Sequence, residues 1–268
     1  MKHLIPFLGF GDRGFHLLGH PYALARTALR QSLLYLAPAL PAGPMLDVGC
    51  GTMPYRDLFP QAAPYEGLEI NQERQANNPR VTYFYDGETI PIAANHFAAI
   101  LCSEVLEHSF VPERLLSECH RVLRPGGALL LTIPFLWPEH EQPWDSQRFT
   151  HFGLRRRLEA AGFRVETMLK LNPGPPALLQ LCIDWIESLS RRLLVRLPAG
   201  WLRQGVQGIW RLFWALPYTP LNLLGAACRR PVRPVSDWCV PRAGQRPAWS
   251  AELYLSNVVL AVKTDPGT

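Results

Sequence analysis

The chain has 268 residues, 48% apolar and 18% charged, which excludes a disordered chain and allows one large domain or one domain carrying an insertion. Its net charge of +5 is concentrated: residues 174–248 hold ten arginines against Asp184, Glu187 and Asp237, net +7, while the rest holds 17 basic and 19 acidic residues, net −2. That distribution excludes a uniformly basic nucleic-acid binder.

In chain order, residues 22–37 space their apolar side chains for a helix that ends before Pro38. "MLDVGCG" then reads as a short buried strand running into a glycine turn. Strands follow at 65–70, 81–85 and 97–103. An amphipathic helix at 111–123 is stopped by "RPGG", and "ALLLTIP" (128–134) is a buried strand. Residues 153–163 form a helix with Gly162 just past its end, and "RVETMLKL" is a strand. The alternation predicts an α/β fold with a doubly wound, mostly parallel sheet. Helical blocks divided by prolines fill 174–248, and "ELYLSNVVLAVKT" (252–264) supplies a last strand. The chain thus divides into an N-terminal helical segment (1–42), a core (43–173), a basic, Trp-rich helical insertion (174–248), and a final core strand with tail (249–268).

The glycine turn, "MLDVGCGTMPY", lacks the third glycine of G-x-G-x-x-G, having Pro54 there, and lacks the Gly-Lys-Ser/Thr of a P-loop. A phosphate cradle is excluded. Asp47 at the strand tip suits an ammonium group, and Gly49 and Gly51 let the backbone approach a ligand closely. Glu69, 22 residues on, ends the next strand where it can accept from ribose hydroxyls, and Asp86 follows the third strand within reach of an adenine amino group. Singly, Asp47 or Asp86 also suits a turn cap and Glu69 a solvated loop end. Together they make an edge suited to a cationic nucleoside.

"LDVGCG", "YDGETIPIAANHFAAILCSEVLEH" and "HRVLRPGGALLLTIP", in that order and spacing, resemble class I S-adenosylmethionine-dependent methyltransferases, from about Tyr22 to Leu171 with the last strand at 252–264. The resemblance implies a seven-stranded Rossmann-like sheet with an antiparallel last strand, and S-adenosyl-L-methionine as cofactor. It implies that Asp47, Gly49 and Gly51 hold the methionine end, Glu69 the ribose and Asp86 the adenine, with Ser103 and Glu104 lining the central part. Met53 stands where the family often has a third glycine, and Ala98 where it often has an aspartate.

On the acceptor side, residues 134–154 gather His140, Glu141, Asp145, Arg148 and His151 among Trp137, Trp144 and Phe149, a mixture suited to a sugar. His140 is the first candidate for general base, oriented by Glu141 or Asp145, and His108 is the second. Thr150 and His151 also fit an ordinary helix entry. "HEQPWDSQRFT" and "CGTMPYRDLFP" resemble methyltransferases encoded with bacterial surface-polysaccharide enzymes, which implies O-methylation of a saccharide or lipid-linked glycan. A quinone or other lipid acceptor, and a noncatalytic cofactor-binding scaffold at a membrane, are the alternatives.

Residues 177–197 place Gln180, Asp184, Glu187 and Arg191 on one stripe opposite Leu and Ile, and 201–216 set Trp210, Phe213 and Trp214 apart from their arginines. Such helices suit peripheral contact of 177–216 with an anionic membrane, or a lid, cap or dimer contact. Six cysteines without CxxC spacing predict reduced thiols, no zinc and no metal. With no secretory signal and no apolar run of spanning length, a cytoplasmic protein is expected, at most touching the inner face of the membrane. No nucleic-acid partner is expected.

Overall fold

The computed structural model describes residues 21–70, 78–195, 219–228 and 253–264. The helix expected over 201–216, the loop after residue 228 up to 247, Cys239 and residues 1–20 lie outside them. Seven strands, β1 (Gly43–Val48), β2 (Ala62–Ile70), β3 (Tyr83–Tyr85), β4 (Phe97–Ser103), β5 (Leu123–Pro134), β6 (Phe163–Lys170) and β7 (Ser256–Lys263), form one sheet in the order β3-β2-β1-β4-β5-β7-β6. β1 to β5 pair in parallel, and β7 enters between β5 and β6, antiparallel to both. This is the doubly wound, mostly parallel sheet that the sequence predicts.

Central strands buried on both faces read as unbroken apolar runs. β4 shows why: Phe97, Ile100 and Cys102 point into one core layer, and Ala99 and Leu101 into the other. The first layer is closed by α2 (Pro112–Val122) through Leu115, Leu116, Cys119 and Val122, and by α3 (His151–Ala160) through Leu154 and Leu158. The second is closed by α1 (Ala23–Leu36), whose Leu29, Leu33 and Leu36 repeat at helical spacing. Thr150 caps α3, its hydroxyl accepting from the Gly153 N–H at 3.2 Å, and Gly162 follows the helix at φ +91°.

One element departs from expectation. "RPGG" does not separate helix from strand by a loop: α2 ends at Val122 and β5 starts at Leu123, with a register shift against β4. For α4 (Pro175–Val195) the sequence left open which face turns outward. Gln180 and Asp184 are buried against α1: the Gln180 amide accepts from the Ala25 N–H at 3.2 Å and donates to the Pro21 carbonyl and Asp184. Leu178, Trp185 and Leu189 stand exposed on the opposite face, Trp185 by 69%. The inward face is mixed: Ile183 packs on Leu24, while Gln180 and Asp184 are buried there because the start of α1 offers backbone groups that need partners. No helix among the described residues is long and apolar enough to cross a membrane.

The central strand sets the stability scale. Leu101→Ala, at a fully buried position of β4, is expected to cost about 3 kcal/mol, read as a lower urea midpoint at unchanged slope. A loss below about 1 kcal/mol would mean that this layer repacks freely.

Candidate active site

The strand order reverses between β1 and β4, so a crevice opens at their carboxyl ends. β1 leaves the sheet through a turn in which Gly49 and Gly51 have φ of +64° and +46°. The Gly49 and Cys50 N–H groups both donate to the Leu68 carbonyl, at 2.9 and 3.2 Å. A Cβ at Gly49 would lie 2.4 Å from a Val105 methyl, whereas a Cβ at Gly51 would meet nothing within 4 Å. Gly49 is therefore needed for packing and backbone conformation, and Gly51 leaves open space.

Around this turn Asp47 is buried, its Oδ2 accepting from the Tyr65 hydroxyl at 2.8 Å. Burial pushes its carboxyl up to about 7; the Tyr65 bond opposes the rise and the Glu69 charge adds to it. Glu69 Oε1 accepts from the Gly51 N–H at 2.8 Å. Asp86 follows β3 on the same edge, and its Oδ1 accepts from the Glu88 and Thr89 N–H groups, both at 2.8 Å. Those bonds hold its carboxyl below the ordinary range. Glu69 thus braces the glycine turn, and Asp86 closes a turn of its own.

At the ends of β4 and β5 the Ser103 hydroxyl lies 3.0 Å from that of Thr132, and Glu104 follows with φ +54°. Burial raises the Glu104 carboxyl to about 7 against the Thr132 bond and the Arg148 charge, and one of its oxygens is buried without a partner. Next, a single 3-10 turn, Leu106–His108, carries Glu107 into the interior. Glu107 is 0% exposed and neither of its oxygens has a hydrogen-bond partner.

The loop after β5 folds over that turn, with the Ser146 and Gln147 N–H groups donating to the Glu107 carbonyl at 2.9 and 3.2 Å. It brings His140 to His108, ring centroids 4.9 Å apart. His140 Nδ1 sits 3.0 Å from Asp145 Oδ2, and its Nε2 is turned toward Glu107 Oε1 at 3.9 Å. Asp145 is gripped by both Arg148 guanidinium nitrogens, at 2.5 and 2.7 Å. Although burial works against it, the Arg148 bonds and the His140 contacts bring its carboxyl down to about 2. Burial, then the nearby His140, lowers His108.

Of the predicted acceptor residues, His108, His140 and Asp145 come together, and Asp145 is the carboxylate that orients His140. Glu141 is exposed on the outer turn of the loop at φ +48°. The predicted aromatic set is also rearranged. Phe149 belongs to the core, Trp137 packs on Tyr22, and the exposed pair is Trp144 with Phe110, 5.6 Å apart. The sequence reading missed Tyr65, Thr132 and Glu107. None of the three left a signal that singled it out: in "SEVLEH", Glu107 is one of two carboxylates beside a histidine.

The methyltransferase domain family matches residues 46–131, from β1 to β5. Residues 46–131 are thus similar to a methyltransferase domain. It is 29% identical over 142 residues to a malonyl-[acyl-carrier protein] O-methyltransferase of Alcanivorax borkumensis, covering 48% of each chain. It is likewise 29% identical over 142 residues to a protein of Mycolicibacterium smegmatis named as a probable S-adenosylmethionine-dependent methyltransferase, covering 48% of this chain and 55% of that one. The chain thus spans about half the length of these relatives. The crystal structure of the [4+2]-cyclase SpnF shares the fold at a TM-score of 0.52 and 18% identity, over 90% of this chain and 82% of that one.

The two glycines of the turn after β1 should respond differently. Gly49→Ala combines a left-handed backbone with a steric clash and is expected to cost more than about 2 kcal/mol, while Gly51→Ala costs only the backbone strain, about 1 kcal/mol. Thermal unfolding of the two variants checks this, and equal shifts would show that Val105 gives way.

Proposed function

We propose that the protein transfers the methyl group of S-adenosylmethionine to a hydroxyl of a saccharide or lipid-linked glycan. The observation that carries this reading is the meeting, at one crevice, of the Asp47–Gly51–Glu69 edge with the His140–Asp145 pair. In this reading Asp47 receives the ammonium of the methionine end, with Gly49 and Gly51 admitting the ligand's backbone. Glu69 keeps its second oxygen for the ribose and Asp86 its Oδ2 for the adenine, while Ser103 and Glu104 flank the sulfonium. The acceptor oxygen lies on the far side of the methyl group, toward His140. Its lone pair attacks the methyl carbon as the C–S bond breaks, its proton passes to His140, and S-adenosylhomocysteine leaves. The domain's part is alignment and removal of one proton, since the sulfonium is already a good leaving group.

The exposed Phe110–Trp144 pair beside this polar cluster supports a sugar, whose apolar face an aromatic ring covers. The O-methyltransferase name of the Alcanivorax relative supports an oxygen acceptor. The outward stripe of Leu178, Trp185 and Leu189 on α4 supports a lipid-borne acceptor met at a membrane surface.

Titration with S-adenosylhomocysteine tests the cofactor edge. Because the Asp47 carboxyl lies near 7 without ligand, an incoming ammonium lowers it, so binding at pH 7 releases a proton and affinity weakens as the pH falls below 7. Calorimetry in buffers of different ionisation heat reads that proton; its absence would remove Asp47 from the ammonium site. Glu69→Ala is expected to weaken binding at least about tenfold.

His140→Ala is expected to lower turnover about a hundredfold with S-adenosylhomocysteine affinity within twofold. Turnover would be assayed on sugar-lipid acceptors beside a quinol. Exclusive methylation of the quinol would overturn the saccharide assignment, and loss of cofactor binding in the variant would make His140 a structural residue.

A further inference from the structure

Glu107, His108 and His140 hold three ligand atoms within 4.8 Å of one another. Glu107 Oε1 lies 3.7 Å from His108 Nε2 and 3.9 Å from His140 Nε2. A fully buried carboxylate with both oxygens unpartnered is costly unless a cation or a proton compensates it. Behind His140, Nδ1 lies 3.3 Å from the Pro138 carbonyl and 3.0 Å from Asp145 Oδ2, acceptors that keep the proton on Nδ1 and leave the Nε2 lone pair turned toward Glu107. A carboxylate behind an imidazole is the arrangement that orients histidine ligands of metal ions. The Asp145 charge is itself answered by two Arg148 hydrogen bonds, whereas among the described residues Glu107 has neither a hydrogen bond nor an arginine or lysine ion pair. Glu104, with another buried unpartnered oxygen, adds negative field from three residues upstream.

The geometry points to a divalent transition-metal site formed by Glu107, His108 and His140 at the acceptor end of the crevice. One carboxylate and two imidazoles on one side of an ion suit Mn²⁺, Fe²⁺, Co²⁺ or Zn²⁺ and leave coordination positions open toward the crevice. Bonds of about 2.1 Å to each ligand need the three atoms to draw in by roughly half an ångström or somewhat more, a movement of side chains alone. This set contains no cysteine, which is why cysteine spacing gave no sign of it.

The consequence for catalysis rests on the methyl-transfer reading; the binding of the ion does not. With the ion present, His140 is a ligand and the acceptor hydroxyl binds the metal. Its O–H bond breaks with the proton passing to water, and the metal-held oxygen attacks the methyl carbon as the C–S bond breaks.

The test is titration of the full chain, stripped with a chelator, with Co²⁺ followed by visible absorption, beside S-adenosylhomocysteine titration of the same sample. One Co²⁺ per chain is expected, with a ligand-field spectrum. Glu107→Gln and His140→Ala should each lose that spectrum while circular dichroism stays unchanged. Asp145→Asn, which acts only by positioning His140, should weaken Co²⁺ about tenfold. His108→Asn serves as a second ligand variant should either of the first two fail to fold. A wild-type chain that binds S-adenosylhomocysteine but not Co²⁺ overturns the site, as does equal Co²⁺ binding in the ligand variants, which would put the ion elsewhere. Co²⁺ binding that the ligand variants abolish, in a chain indifferent to S-adenosylhomocysteine, upholds the metal site and overturns the methyl-transfer reading instead.

Discussion

The register of the parallel strands is the constraint on which the crevice depends. Val48 pairs with both Leu68 and Cys102, and Cys102 with Leu131, so β1, β2, β4 and β5 reach their carboxyl ends level with one another. A shift of one residue would exchange the faces of every side chain in a strand, putting Asp47 in the place of a core residue. Level ends bring Asp47, Glu69, Ser103 and Thr132 to one edge although they are far apart in sequence. Thr132 then ties β4 to β5, its hydroxyl meeting both the Ser103 hydroxyl and the Glu104 N–H.

That edge is electrostatically expensive. Asp47, Glu104 and Glu107 are carboxyls whose surroundings favour the neutral form, and all three lie along one crevice. A fold selected for stability alone would replace them with apolar groups. Their cost is offset by taking up a proton or by the arrival of a positively charged group. The chain therefore invests stability in a place that prefers cations. The shared fold does not itself dictate the chemistry, since the [4+2]-cyclase has a similar architecture.

The sheet was legible because buried parallel strands and amphipathic helices leave strong periodic patterns: "FAAILCS" is β4 residue for residue. The gathering of Asp47, Glu69 and Asp86 at one edge was legible, since strand-end carboxylates after a glycine turn are a one-dimensional pattern. What Glu69 and Asp86 do within the protein was hidden, because a backbone N–H donor leaves no trace in side-chain identity. Glu107 was hidden for another reason: burial of an unpaired charge contradicts the rule by which cores are read from sequence. The orientation of α4 was left open in the sequence, because burial of Gln180 and Asp184 depends on backbone groups at the start of α1 that side-chain identity does not reveal.

β7 arrives about ninety residues after β6 and yet separates it from β5. Among the described residues β6 pairs with no other strand, and the buried Asn257 at the head of β7 donates to the Phe149 carbonyl at 2.9 Å, just where the loop after β5 enters α3. The Asp47–Glu69 edge is complete with β1 and β2, whereas the loop that carries His140 and Asp145 is moored through Asn257 to a strand far along the chain. Loosening β7 would therefore free that loop while leaving the glycine turn braced.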